Sequence, residues 1–191
     1  EFARSRGVEV EIIPTMGRSV RPADDAAAVA NVVRVLRRVK PDIVHTHTAK
    51  AGAVGRLAAR LARVPLVLHT FHGHVFDGYF SKRKTQAFLQ VERALARVTD
   101  RVLAISEQQR VDLVERYRVA PAEKVQVVPL GLDLSRFLAV EPRQPGVGVI
   151  RRELGLGRDA KVIVTVGRLV PIKRFDLLID AFREAAADDP A

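Results

Sequence analysis

The sequence contains no cysteine and no tryptophan. The first absence excludes disulfides and thiolate metal sites, and it suits a cytoplasmic chain without requiring one. Tyrosine occurs twice and phenylalanine eight times, so aromatic residues make up only 5% of the 191 residues. Proteins that bind RNA or single strands stack bases on aromatic rings, and no aromatics are interleaved with the basic residues here. Long apolar runs are also lacking. Arginine interrupts the hydrophobic stretches every few residues, leaving no span of about 20 residues that could cross a bilayer. No secretory signal, internal repeat or low-complexity tract is recognisable. There is no initiator methionine, and EFARSRGVEVEII reads as the end of a helix running into a strand, so the natural N-terminus is expected to lie upstream.

What is present is globular in character. Hydrophobic residues account for 48% and charged residues for 28%, enough to build a core of useful size. Lysine and arginine number 32 against 22 aspartates and glutamates, a net charge of +10. That balance favours polyanionic partners: nucleic acid, an anionic membrane surface, or phosphorylated small molecules. Arg34, Arg37, Arg38, Arg56, Arg60 and Arg63 recur about one helical turn apart, and they read as solvated helix faces rather than a nucleic-acid stripe.

Hydrophobic periodicity alternates between strand and helix along the chain. Val8–Ile13 reads as a short strand. A helix follows Asp24 and Asp25, with Val29, Val32, Val33, Leu36 and Val39 on one side, and Pro41 stops it. Asp42–Thr46, Leu66–Thr70, Val102–Ile105 and Val125–Pro129 read as strands. Between them, Ala51–Arg63, Arg83–Val98 and a segment from Ser106 through Tyr117 read as helices, the last opened by Ser106 and Gln109 in capping-box register. This order specifies an α/β fold, a doubly wound parallel sheet with helices on both faces. Ligands of such sheets bind at the carboxyl ends of the strands, where His45, His47, His69, His72, His74, Glu107, Gly131 and Asp133 all fall. The segment AVEPRQPGVGV then brings two prolines and two glycines into eleven residues and reads as a linker. After it, Ile150–Leu154 reads as a short helix, Lys161–Val166 as a strand, and Phe175–Ala186 as a helix with Phe175, Leu178, Ile179 and Phe182 inward. The division expected is a partial first domain over 1–138, a linker over 139–149, and the start of a second domain over 150–191 that is cut short.

The loop Gly167-Arg168-Leu169-Val170-Pro171-Ile172-Lys173 has the features of a diphosphate site. A glycine leaves the strand, two cations stand five residues apart, and a helix begins at once. Arg168 can take phosphate oxygens in two parallel bonds, Lys173 supplies a point charge, and the helix N-terminus adds its dipole. The same spacing also suits ordinary surface cations in an arginine-rich chain.

The wording of these segments adds to their spacing. VGRLVPIKRFDLLIDAF resembles the opening of the C-terminal domain in retaining GT-B glycosyltransferases of family four. VVPLGLDLSRF, RVLAISEQQRVDLVERY, PDIVHTHTAKAGAVGRLAAR and LVLHTFHGHVFDGYFSKRK resemble, in order, other segments of the same family, the last two in members that build exopolysaccharide or lipid-linked glycans. The resemblance implies a Rossmann-like GT-B fold and transfer of a sugar from a nucleotide-diphosphate donor to a hydroxyl acceptor with retention. It implies that Arg168 and Lys173 bind the donor diphosphate, and that His72 hydrogen-bonds the donor sugar and polarises the reacting centre. It also implies that no cofactor or metal is needed, the UDP- or GDP-linked donor being a substrate. One departure is Arg174, where many members carry glycine.

Other residues are candidates for the cleft or the acceptor. Gly73 would let a substrate approach the backbone. Glu107, Gly131 and Asp133 lie at strand ends, although caps and loop formers look the same. Lys82 opens a basic run, Ser81-Lys82-Arg83-Lys84, at a helix start, which suits either an acceptor phosphate or anionic headgroup or a solvated turn. The five histidines between His45 and His74 lack a carboxylate at ligand spacing, so no metal site is expected. The expected partners are a nucleotide sugar and a hydroxyl acceptor, lipid-linked in some relatives, at an anionic inner membrane face. Nucleic acid is not an expected partner. Two other classes fit less well: a GT-B sugar-nucleotide 2-epimerase, and a non-catalytic basic α/β module that binds nucleic acid. The 191 residues alone are expected to be inactive.

Overall fold

The computed structural model describes residues 2–17, 19–73, 76, 81–138, 148–157 and 160–188. The chain forms two compact units, Glu1–Leu130 and Gly131–Ala191. In the first, a single helical turn, α1 (Phe2–Ser5), precedes α2 (Pro22–Val39), β1 (Ile43–His47), α3 (Ala49–Leu61), β2 (Leu66–Phe71), α4 (Lys82–Arg97), β3 (Arg101–Ala104), α5 (Glu107–Val111) and β4 (Val125–Val127). The four strands form one parallel sheet in the order β1-β2-β3-β4. The α/β architecture with a parallel sheet is the one expected from the alternation of periodicities.

Local chemistry explains the helix ends. Pro22 opens α2, Asp24 and Asp25 lie in its first turn, and Arg37 and Arg38 in its last. Those charges complement the helix dipole, and Lys40 closes the helix in the left-handed conformation at φ 51°. Ser106 caps α5 by accepting from the Gln109 backbone N–H at 3.2 Å, while Gln109 Oε1 accepts from the Ile105 N–H at 2.9 Å. The helix expected to run through Tyr117 instead changes winding. Residues Asp112–Arg116 form a π-helical turn, and Leu113 and Tyr117 both enter the core.

The core lies on one face of the sheet. Val67 packs with Ala59 and Val64, backed by Leu36 and Val44. Phe71, Val102, Ala104 and Val125 pack with Leu89, Ala96, Leu113 and Tyr117. Sequential strand order explains this: each crossover steps the same way, so the described helices gather on one side rather than on both faces as expected. On the other face, Ile43, His45 and His47 of β1 are exposed among the described residues.

Helix α3 lies so close to β1 and β2 that two glycines are required. A Cβ on Gly52 would stand 2.4 Å from His69 Cε1, and one on Gly55 would stand 2.7 Å from Thr46 Cγ2. Arg56, on the same helix, does not belong to a solvated face as its periodicity suggests. It is fully buried and pairs with Glu92 of α4 at 2.8 Å, while its Nε donates to the Gly52 carbonyl at 3.0 Å. Its Nη1 has no hydrogen-bond partner among the described residues.

Two expected strands do not form among the described residues. Val8–Ile13 joins no ladder, and its Glu11 pairs with Arg38 of α2 at 2.9 Å. Lys161–Val166 likewise has no partner strand, and Val166 is 93% exposed. An extended segment becomes a strand only when a neighbour takes up its backbone groups. The second unit contains α6 (Ser135–Leu138), α7 (Val149–Glu153), a 3₁₀ turn at Pro171–Lys173, and α8 (Phe175–Asp188). Leu178, Ile179 and Phe182, the expected inner face of α8, are all exposed among the described residues. Residues 139–147 of the expected linker lie outside the described residues.

Candidate functional site

The carboxyl ends of β1 and β2 bring three histidines together. His45 and His47 alternate along β1 and therefore share a face. In the parallel register His47 stands beside Thr70, and His72 follows two residues later. His45 Nε2 is 2.7 Å from Thr70 Oγ1, the His45 and His47 rings are 4.2 Å apart, and His47 Nδ1 lies 2.8 Å from His72 Nε2. Burial pushes the His45 ring below the ordinary histidine range, helped by the charges of His47 and His72. No group of three histidines, aspartates or glutamates among the described residues is arranged to hold a metal ion.

Backbone conformation marks the same place. Thr48, directly after His47, sits at φ 63° and ψ 159° with no side-chain bond to the helix it precedes. That region is hard for a β-branched residue to reach. Gly73, directly after His72, sits at φ 138° with no heavy atom near its Cβ position, so its glycine is required by conformation rather than by crowding.

His69 belongs to the opposite, buried face. It is 1% exposed, beneath Gly52, with Nδ1 2.8 Å from Thr46 Oγ1. Desolvation first, then the Arg56 charge and the neighbouring histidines, lower its pKa to about 3.

The remaining candidates fall in separate places. Lys82 is exposed in the first turn of α4, a turn that contains no acidic residue of its own. Glu107 opens α5 and pairs with Arg110 at 2.5 Å. Asp133, in the second unit, accepts from the Ser135 N–H at 3.0 Å and from its hydroxyl at 2.5 Å, which holds its pKa below the usual range. It thereby caps α6. Gly131 is exposed in the same loop. His74 lies outside the described residues.

In the second unit the loop after residue 166 turns tightly. The Val170 N–H reaches the Arg168 carbonyl at 2.8 Å, and the Lys173 N–H reaches the Val170 carbonyl at 2.9 Å. Arg168 and Lys173 are exposed on either side of this turn, and no carboxylate among the described residues pairs with either. Gly167 is close enough to α8 that a Cβ would stand 3.2 Å from the Phe175 ring. Arg174 takes the left-handed conformation at φ 48°, the one that glycine reaches without strain. Its guanidinium is bound to Asp176 at 3.0 Å, so it does not stand as a third open charge.

The family model for glycosyltransferase family 4 matches residues 1–136. The chain belongs to glycosyltransferase family 4. It is 34% identical over 166 residues to the UDP-Gal:alpha-D-GlcNAc-diphosphoundecaprenol alpha-1,3-galactosyltransferase of Escherichia coli, covering 87% of this chain and 42% of that one. It is 35% identical over 185 residues to the D-inositol 3-phosphate glycosyltransferase of Geodermatophilus obscurus, covering 92% and 39%. A crystal structure of a glycosyltransferase from Rickettsia africae superposes with a TM-score of 0.63 at 17% identity, covering 88% of this chain and 42% of that one. That likeness shows the fold, which is the GT-B type expected. The chain spans about two fifths of the length of these relatives.

Within this family 4 chain, His69 makes stability depend on pH. In the fold it stays neutral down to about 3, whereas the unfolded chain takes up the proton near 6.5. Above that value both states are neutral. Below it only the unfolded state gains the proton, so stability falls as pH drops from 6.5 towards 3. By pH 5 the loss from this residue is about 2 kcal/mol. Urea unfolding followed by circular dichroism at pH 7 and pH 5 should show it. The variant His69→Asn should lose the share of the slope that His69 contributes, and an unchanged slope would refute this origin.

Proposed function

We propose that this chain is the acceptor-side domain, together with the first βα unit of the donor domain, of an enzyme that transfers a hexose. The donor is a UDP- or GDP-linked sugar, the acceptor a hydroxyl group, and the anomeric configuration is retained. The observation that carries this reading is the loop of residues 167–173, in which Arg168 and Lys173 stand open on either side of a tight turn leading into α8.

A diphosphate leaving group gains negative charge as the glycosidic bond breaks. Fixed cations stabilise that charge more in the transition state than in the ground state. Arg168 and Lys173 act in this way, and the leaving diphosphate assists deprotonation of the acceptor hydroxyl on the same face of the sugar. His72 hydrogen-bonds the donor sugar near the reacting carbon, and the chemistry calls for no cofactor. The Escherichia coli relative acts, by its name, on a diphosphoundecaprenol-linked acceptor. A lipid-linked acceptor in cell-surface polysaccharide or glycolipid synthesis suits the +10 net charge, and it would place the enzyme on the cytoplasmic side of an anionic membrane.

Calorimetric titration of the full-length protein with UDP- and GDP-hexoses tests the reading. Saturable binding of one of them, followed by transfer to a hydroxyl acceptor, is expected. Failure to bind any nucleotide sugar, together with salt-dependent DNA binding, would overturn it.

A further inference from the structure

His47 Nδ1 lies 2.8 Å from His72 Nε2. At that distance two neutral imidazoles share one hydrogen, because a ring nitrogen either donates or accepts and two N–H groups cannot face each other. The bond therefore couples the tautomers. If His47 donates through Nδ1, His72 carries its own hydrogen on Nδ1; if His72 donates through Nε2, its Nδ1 is a lone pair. In both cases Nε2 of His72 is occupied and Nδ1 is the nitrogen left for a ligand.

The two rings are not held equally. His47 is the last residue of β1 and is in ladder register with Thr70. Its ring lies 4.2 Å from that of His45, which is itself tied to Thr70 at 2.7 Å. The strained Thr48 follows it. Strain of this kind persists only where the surroundings over-determine the backbone. His72, by contrast, lies beyond the last residue of β2 and is followed by Gly73 at φ 138°. The direction of its ring depends on its side-chain partner.

We propose that His47 is a positioning residue: it fixes the orientation of His72 and couples the His72 tautomer to its own, so that Nδ1 of His72 is presented to the donor sugar. This rests on the reading of His72 as a sugar-contacting residue.

The test uses the full-length enzyme with His47→Ala, His47→Asn, His72→Ala and the double variant His47→Ala/His72→Ala. His47→Ala should lower kcat by about 10-fold to 100-fold, the cost of a misplaced reacting group, with donor KM within about twofold. His47→Asn, whose side-chain amide can donate or accept near the same point, should recover most of the rate. In the double variant, loss of His47 should cost nothing beyond His72→Ala, because the two act as one unit. Two-bond ¹H–¹⁵N spectra should show the His72 tautomer change in His47→Ala, where the shared hydrogen is lost. A wild-type kcat in His47→Ala, no recovery in His47→Asn, or additive losses in the double variant would overturn the proposal. A wild-type rate in His72→Ala would instead remove the sugar-contact reading. In that event the spectra decide the pairing, and an unchanged His72 tautomer would overturn it.

Discussion

Glu92→Ala should destabilise the first unit by about 3–5 kcal/mol, the usual result of leaving one member of a buried ion pair alone. Arg56 is fully buried, and Glu92 is its only carboxylate partner among the described residues, at 2.8 Å. Its guanidinium already has one nitrogen without a partner. Removing the carboxylate leaves a cation that can neither reach water nor shed its proton. Glu92→Gln should cost less, since the amide oxygen still accepts. The sharper check is the double change Arg56→Met/Glu92→Leu. It removes both charges while keeping similar volume, and should be far less damaging than Glu92→Ala alone. Urea unfolding followed by circular dichroism of the four proteins would show it, and a double variant as unstable as Glu92→Ala would count against an unpaired charge as the cause.

The largest effect on activity is expected from the second unit. Arg168→Ala and Lys173→Ala should each lower kcat/KM for the nucleotide sugar by about 10²-fold to 10³-fold, the range for loss of a preorganised group facing developing charge. Neither side chain has a carboxylate partner among the described residues that its loss would strand. The fold should therefore be unaffected and the melting temperature unchanged. Arg168→Lys should remain impaired if a two-bond contact to phosphate oxygens is needed, since an ammonium cannot reproduce it. Steady-state kinetics of the full-length enzyme would decide, and wild-type kcat/KM in both alanine variants would defeat the assignment of the diphosphate to this loop.

Contacts near in sequence were legible, and contacts between distant elements were not. The Ser106–Gln109 cap joins residues three apart, and its residue types suffice to name it. The parallel sheet followed from alternating periodicities, because connections of this length leave few alternatives. Arg56 and Glu92 are 36 residues apart, and nothing in either helix's pattern indicates that the two will meet. Arg56 looked like its solvated neighbours. The small residues of AKAGAVGRLAAR did carry a signal: Gly52 and Gly55 stand three apart on one side of a helix, which is what a close approach to a sheet requires. Of the candidate site, His45 and His47 were legible as sharing a face, but the bond from His47 to His72 depends on the register between β1 and β2. Val8–Ile13 and Lys161–Val166 have strand composition, yet whether they become strands is a property of their neighbours.

Arg174 bears on how the loop before it would meet the proposed diphosphate. A glycine at that left-handed position would leave the turn free to sample many conformations, and binding would have to freeze one of them. Here the residue carries a Cβ that removes much of that freedom, and its guanidinium is anchored to Asp176 at the head of α8. The entropy of ordering is thereby spent at folding rather than at binding. On the diphosphate reading proposed above, the loop would meet its anion already shaped.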